Sequence, residues 1–320
     1  MAEPRRTPRG LVVGGWVLAL LAAAALLAPL IATDRPLLSR GPSGVTSPAL
    51  RGWLGAAPGA ADGAGEPILN APIHHGPYRI HLDSLLLPPS LAHPMGTDGL
   101  GRDLAARVLH GGRVSLAVGL LAAGFSLLVG LPLGAVAGYF RGRTDWIVSR
   151  AIEAVLCIPS LLLALALLAT SPRWLEGLPD ALRIALVVSL TGWTPIARYL
   201  RAEFLRLRAS DMVAAARATG AGNLRVVVRH VLPSALAPVL VTAAFAVGGA
   251  ILLEAALSFL GLGVRPPLPT WGGLLGEARA RVDTAWWLAV FPGACLFLAV
   301  LGCNFVGEGL RDLLDPRSRR

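Results

Sequence analysis

Hydrophobic residues along this 320-residue chain form long runs that are separated by short, arginine-bearing polar segments. A run of about 20 apolar residues is the length that a helix needs to cross the hydrocarbon of a bilayer. The pattern predicts six membrane-spanning helices, at about 11–32, 114–139, 147–170, 182–199, 236–260 and 285–306. We therefore expect an all-α, polytopic membrane protein.

Span two is marked by small residues at a regular interval, with glycine at Gly130, Gly134 and Gly138. In lipid, where apolar surfaces gain little by associating, this spacing lets two helix backbones approach closely. We therefore expect span two to serve helix packing and to hold no ligand. Pro159 and Pro195, in spans three and four, can each kink a helix where neighbouring groups satisfy the freed carbonyls.

Arginines between the spans indicate the orientation of the chain. They are frequent before span one, after span two, near the end, and in residues 198–233, here called the arginine segment, where seven arginines accompany only two acids. Because short cytoplasmic loops carry an excess of positive charge, the arginine segment and both termini are predicted to be cytoplasmic, in a cell inner membrane. The first apolar run exceeds the core of a signal peptide, so we interpret it as an uncleaved anchor.

The long segment between spans one and two changes composition along its length. Residues 36–66 are rich in Gly, Pro, Ala and Ser, which predicts an irregular or flexible excursion. Farther on, Thr97 or Asp98 is placed to cap a helix that runs amphipathically into span two. The predicted organisation is a cytoplasmic tail and anchor at 1–35, an external loop at 36–112, a five-helix core at 113–310 and a cytoplasmic tail at 311–320.

Composition narrows the chemistry that the chain can perform. Hydrophobic residues make up 54% and charged residues 15%, and the net charge is +10. Such a balance also occurs in nucleic-acid-binding proteins, but here the arginines lie where they orient the spans, so nucleic acid is not an expected partner. The chain contains no lysine, which excludes a P-loop for ATP. Cys157, Cys295 and Cys303 fall in apolar spans at spacings that indicate neither a disulfide nor a zinc site.

A few ionisable side chains are candidates for function. Glu254 lies inside an apolar span, where a carboxylate is costly and suggests function by default; a structural role near the outer end of the span stays open. Glu153 is interpreted as structural, pairing with Arg150 or reaching interfacial water. Imidazole suits nickel and copper, yet no carboxylate spacing supports a site, so we expect neither metal nor cofactor at the histidines of the external loop, His74, His75, His81 and His93.

Three separated motifs resemble one family of membrane proteins. They are HPMGTDGLGRDLAARVLHGGRVSL at 93–116, AAARATGA with RHVLP in the arginine segment, and EAALSFLGLGVRPPLPTWGGLL at 254–275, and the ending at 291–317 agrees. Together they resemble the C-type permease subunit of the dipeptide, oligopeptide and nickel family of ATP-binding-cassette importers. The resemblance covers about 67–317 and the anchor. It implies the type I importer permease fold, with six transmembrane helices and a cytoplasmic coupling helix.

The resemblance also implies sites. In that family a helix with Glu-Ala-Ala, three residues and Gly seats in a groove of the ATPase subunit; here Ala214 stands at the acidic position, whereas the glycine that permits the following turn is retained as Gly220. Pro233 is expected in the first turn of span five. The candidate coupling residues are Asp211, Ala215, Ala216, Arg217, Gly220, Ala221, His230 and Pro233. The external motif comprises Gly96, Thr97, Asp98, Gly101, Arg102 and Asp103.

The implied function is that of a permease subunit, not an enzyme, that forms half of a translocation path for peptides. Its implied partners are a second permease subunit, two cytoplasmic ATP-binding subunits, an extracytoplasmic solute-binding protein and the bilayer. A nickel or other small-solute importer of the same family is the alternative. An ion-coupled secondary transporter would need mid-membrane carboxylates and internal repeats, for which only Glu254 is a candidate. A membrane-embedded enzyme would need a catalytic constellation that the spans lack.

Overall fold

The computed structural model describes residues 8–41, 44–53, 66–170 and 172–314, in which α-helix dominates. The helices are α1 (Arg9–Ile31), α2 (Pro48–Trp53), α3 (Leu104–Phe140), α4 (Gly142–Leu156), α5 (Ser160–Thr170), α6 (Asp180–Arg208), α7 (Asp211–Ala218), α8 (Asn223–Val226), α9 (Leu232–Phe259), α10 (Trp271–Ala278) and α11 (Trp287–Leu314). The strands are β1 (Leu38–Gly41), β2 (Gly44–Thr46) and β3 (Glu66–Leu69). The tail arginines Arg5, Arg6, Arg317, Arg319 and Arg320, on which part of the orientation depends, lie outside the described residues.

The predicted spans are formed as helices, but not all of them qualify as spans by composition. Among the described residues, α1, α3, the continuous helix Asn223–Phe259 and α11 are long and apolar enough to cross a membrane. The pair α4 and α5, bent by 81°, makes a fifth candidate. Helix α6 occupies predicted span four, but it carries five arginines and falls outside this set.

The two prolines behave differently. Pro159 lies in the break between α4 and α5, so the predicted kink is present there. Pro195 lies inside α6. A proline frees the carbonyl four residues earlier, here that of Thr191, and the hydroxyl of Thr194 donates to this carbonyl oxygen at 2.9 Å. A neighbouring group therefore satisfies the freed acceptor within the helix.

The prediction of an irregular excursion at 36–66 is wrong for the described part of that segment. Strand β1 pairs antiparallel with both β2 and β3, in the order β2-β1-β3, with Ser39 opposite Thr46. The two hydroxyls lie 3.1 Å apart, and Ser39 is buried. Cross-strand backbone and side-chain pairing outweighs the turn-forming composition here. Residues 42–43 and 54–65 lie outside the described residues.

The chain forms two compact units. The first comprises the described parts of Met1–Leu18, Ala117–Leu257 and Ala299–Arg320, and the second comprises Ala19–Leu116 and Ser258–Leu298. In the first unit the glycines of α3 pack against α6, as their spacing predicts. A Cβ at Gly134 would lie 2.6 Å from the carbonyl oxygen of Ala197, and one at Gly138 would lie 2.7 Å from that of Arg201. Backbone contact of this kind fixes α3 on α6.

Candidate functional site

Helix α7 is held from one face and exposed on the other. Val213 and Ala216, three residues apart, are buried in the core cluster of the first unit. The exposed residues of α7 include three alanines, Ala214, Ala215 and Ala218, which we call the alanine ridge; Asp211, Met212 and Arg217 are exposed as well. Because alanine presents only a methyl group, this ridge leaves the helix backbone open to close approach by another surface.

The end of α7 is a Schellman motif built on Gly220. The amide of Ala221 donates to the carbonyl of Ala216 at 3.1 Å, and the amide of Gly220 donates to that of Arg217 at 2.9 Å. Gly220 has φ +81°, in the left-handed region that glycine adopts without steric cost. The turn that the sequence predicts after this helix is therefore confirmed.

The other predicted coupling residues differ in whether their side chains are exposed or turn toward the core. Asp211 is exposed in the first turn of α7, beside the alanine ridge. Ala216 faces the core and Ala221 is half-buried, while the guanidinium of Arg217 turns back onto the hydroxyl of Tyr139. These three side chains therefore fix α7 from behind and do not contribute to the ridge. His230 is half-buried, and its carbonyl accepts a hydrogen bond from Ser234 at 3.1 Å.

Pro233 lies in the first turn of α9, but that turn is not the start of the helix. The helix runs without a break from Asn223 through a π-helical turn, Val227–Val231, into α9. A proline lacks a donor and its ring crowds the carbonyl four residues earlier. The wider π turn directly before Pro233 accommodates both effects. The expected place of Pro233 in the first turn of α9 is therefore confirmed, although helical backbone precedes that turn.

The external motif folds into a tight turn ahead of α3. Gly96 and Gly101 have φ of +78° and +72°. A Cβ at Gly101 would lie 1.8 Å from the carbonyl oxygen of His81, so no larger residue fits. The hydroxyl of Thr97 donates to the carbonyl of Ser84 at 2.6 Å, and the Thr97 carbonyl accepts from the indole of Trp287 at 3.1 Å. Thr97 thus holds the external motif, through hydrogen bonds, to the segments of the second unit that contain Ser84 and Trp287.

Asp103, and not Thr97 or Asp98, caps α3. Its carboxylate accepts from the amide of Ala106 at 2.8 Å, in the position of an N-cap. The earlier two residues lie too far before Leu104 to reach the free amides of the first turn. The prediction of a helix start within the motif is confirmed, but the side chain predicted to cap the helix was wrong.

A network of charges, buried except at Glu277, joins the external motif to α10. The carboxylate of Asp98 accepts from Arg102 Nε at 2.7 Å and from Arg107 Nη1 at 2.5 Å, and Arg107 also donates to Glu277 at 2.5 and 2.8 Å. Asp98 is 2% and Arg107 3% exposed. We call Asp98, Arg102, Arg107 and Glu277 the Asp98 network. Sequence reasoning missed Arg107 and Glu277, although an arginine among the apolar residues of a helix start is a detectable signal.

Three histidines of the second unit come together, but not as a metal centre. The ring of His75 stacks on that of His93 at 4.6 Å, and His81 lies edge-on at 6.0 Å. His93 Nδ1 lies 2.9 Å from the carboxylate of Asp103. Burial, and then the neighbouring His93, lower the pKa of His75 from its usual 6.5. Within the described residues no group of three or more His, Cys, Asp or Glu side chains could hold a metal ion.

The intramembrane acids occupy different environments. Glu254, in α9, is fully buried and does not line the cavity between α3, α6 and α9. Glu153 pairs with Arg150 at 2.5 Å on an exposed surface of α4, as expected from their spacing.

A cavity of about 290 Å³ lies in the first unit, between α3, α6 and α9. None of the described residues in its wall is ionisable. The hydroxyls of the wall donate to carbonyls of their own helices, Ser126 to Ala122, Thr191 to Val188 and Thr242 to Pro238. Gly249 lies in the wall, and a Cβ there would meet nothing within 4 Å. The cavity therefore offers an uncharged surface with open space beside Gly249.

Comparison with known proteins places these features in context. The profile described as binding-protein-dependent transport system inner membrane component matches residues 130–320. The putative peptide transport system permease protein of Brucella suis biovar 1 is 43% identical over 230 residues, which cover 72% of this chain and 75% of that protein. The di/tripeptide transport system permease protein DppC of Pseudomonas aeruginosa is 42% identical over 241 residues, covering 73% and 78%.

The structural comparison agrees. The inward-facing MetNI methionine ABC transporter superposes with a TM-score of 0.56 at 20% identity, covering 65% of this chain and 96% of that chain. At this identity the likeness shows the fold alone, and it confirms the fold class predicted from the sequence.

Proposed function

Because this chain belongs to the family of binding-protein-dependent transport system inner membrane components, we propose that it forms half of a peptide translocation path and receives its driving force on α7. The partner at α7 is a cytoplasmic ATP-binding subunit. The observation that carries this proposal is the alanine ridge, which is exposed on a helix whose opposite face is buried.

The ridge has the properties of a helix that docks in a groove. Its methyl groups allow close approach and lose little side-chain freedom when they are covered. Val213 and Ala216 anchor α7 in the core, so a push on the ridge displaces packed helices and is not absorbed by a loose loop. A docking element that transmits force needs both properties.

The partners follow from what the chain lacks and from its family. Without lysine the sequence has no P-loop, so ATP hydrolysis is supplied by two ATP-binding subunits. A second permease subunit completes the path, and an extracytoplasmic solute-binding protein delivers the solute. Relatives named as peptide and di/tripeptide transport permeases support peptide as the solute. The uncharged cavity wall suits a solute whose side chains vary, because it holds no fixed charge that would trap one peptide and repel another.

Accessibility labelling tests the orientation. In a background in which Cys157, Cys295 and Cys303 are replaced by serine, Leu91→Cys and Thr219→Cys provide two exposed sites. We expect an impermeant maleimide to label position 91 from the external side and position 219 only in inside-out vesicles. Labelling of position 219 from outside would overturn the placement of α7.

Steric blockage tests the docking site. Ala215→Trp places a large ring on the exposed ridge without touching the core, and Ala202→Trp does the same at an exposed alanine of α6. The ATP-binding subunit should co-purify with the Ala202→Trp permease but not with the Ala215→Trp permease. Equal recovery with both variants would exclude the ridge as the dock.

A further inference from the structure

Tyr139, the penultimate residue of α3, contacts α6, α7 and α8. Its hydroxyl donates to Asn223 Oδ1 at 2.9 Å and accepts from Arg217 Nη2 at 3.2 Å. Its carbonyl accepts from Arg208 Nη1 at 2.6 Å. The two guanidinium carbons lie 5.7 and 5.8 Å from the centroid of its ring. One side chain thus joins the end of α6, the last turn of α7 and the start of α8.

The surroundings make this junction stiff. Tyr139 is 2% exposed and belongs to the same core cluster as Val213 and Ala216 of α7. Directly before it, a Cβ at Gly138 would lie 2.5 Å from that of Phe204 in α6, so α3 has no room to slide. The ring is therefore packed, while the hydroxyl makes two bonds that bridge α7 and α8.

The ring and the hydroxyl contribute differently. The ring fills the core and attracts two cations by cation–π interaction. The hydroxyl alone ties the two flanks of the α7 turn, through Arg217 on one side and Asn223 on the other. Packing fixes where α7 rests, whereas the hydroxyl bonds resist separation of α7 from α3 when α7 is displaced.

We propose that Tyr139 is a positioning residue that makes α3 follow the movement of α7, by binding Arg217 and Asn223 through its hydroxyl. The proposal rests on the docking of an ATP-binding subunit at α7. A displaced α7 then carries α3 with it, and α3 contributes Ser126 to the cavity wall. Force applied at the ridge reaches the proposed path through this hydroxyl.

Tyr139→Phe tests the proposal in the complete transporter with all partner subunits, because it keeps the ring and removes only the hydroxyl. One net hydrogen bond changes an equilibrium constant by about fivefold. We therefore expect transported tri-alanine per ATP hydrolysed to fall by up to about fivefold, with normal recovery of the ATP-binding subunit. Tyr78→Phe, at an exposed tyrosine of the second unit, is the control and should leave this ratio unchanged.

Asn223 gives a second pair of variants that leaves α3 intact. Asn223→Ala removes the acceptor for the hydroxyl, and Asn223→Asp keeps one. The ratio should fall in the first variant and be restored in the second, which a purely structural role would not produce. An unchanged ratio in both Tyr139→Phe and Asn223→Ala would overturn the proposal. If Tyr139→Phe does not assemble, an unchanged ratio in Asn223→Ala alone would overturn it.

A readout that does not depend on the solute separates this inference from the docking proposal. Spin labels at Thr219→Cys and Arg141→Cys, both exposed, report the distance between the end of α7 and the end of α3. On adding nucleotide, this distance should stay constant in the parent protein and change in Tyr139→Phe. If it stays constant in Tyr139→Phe while Ala215→Trp still abolishes docking, the Tyr139 inference fails alone. If Ala215→Trp docks normally, the docking proposal fails first.

Discussion

Replacing Gly220 by valine should weaken the docking of the ATP-binding subunit through the backbone alone. Gly220 has φ +81°, and a Cβ built there would meet nothing within 4 Å. No clash is created, so the whole cost comes from the left-handed conformation, which is about 1–2 kcal/mol for a residue with a Cβ. Valine, branched at Cβ, belongs at the upper end of that range.

This cost falls on the Schellman motif that ends α7. The bonds from Ala221 to Ala216 and from Gly220 to Arg217 form only while the glycine stays left-handed. A cost of about 1–2 kcal/mol lowers the ratio of ordered to disordered turn by a factor of about 5–30. We expect the affinity for the ATP-binding subunit to fall by up to this factor, because the partner binds the ordered turn.

The assay is a titration of the purified ATP-binding subunit onto the permease pair in lipid nanodiscs. Gly222→Ala is the matched control, since Gly222 has φ −68° and a Cβ there also meets nothing within 4 Å. It should bind with parental affinity. Parental affinity in Gly220→Val, or an equal loss in Gly222→Ala, would refute the reasoning from backbone conformation.

Three further outcomes follow from the structure. Gly249→Leu fills the cavity and should abolish peptide transport with normal assembly, whereas Gly124→Leu, also free of contacts but outside the cavity, should not. Asp98→Asn removes one of the two carboxylates that neutralise Arg102 and Arg107, while Glu277 still pairs with both, so it should lower stability by about 1–3 kcal/mol, seen in thermal unfolding. The pKa of His75 is lowered from 6.5 in the folded state, so the unfolded loop binds more protons and stability falls with acidification below about pH 6.5. The protection factors of the loop amides against hydrogen exchange should then fall, and His75→Gln should remove this change.

The features that the sequence predicted correctly are local ones. Apolar runs of sufficient length became helices, and glycines at every fourth position became the contact surface of α3. Gly220 was expected to turn the chain and does so with a positive φ. Each of these depends on a few consecutive residues and on backbone geometry, which periodicity and composition record directly.

The contacts that the sequence did not predict join residues that lie far apart along the chain. Arg107 meets Glu277 across 170 positions, and Tyr139 meets Asn223 across 84. No periodicity encodes such pairing, and a tyrosine at the end of an apolar run is also what an interfacial residue looks like. The helix cap was misplaced for a related reason, because the hydroxyl of Thr97 bonds the backbone of Ser84 and Leu87 and is not free to cap.

Glycine shows why the structure is needed to design tests on this chain. The 37 glycines look alike in the sequence, but a Cβ would meet backbone within 3 Å at Gly134 and nothing within 4 Å at Gly220 or Gly249. Substitution at Gly134 therefore separates helices and disturbs assembly. Substitution at Gly220 alters only a conformation, and at Gly249 only open space. Docking and transport can thus be perturbed separately, while α3 keeps its packing against α6.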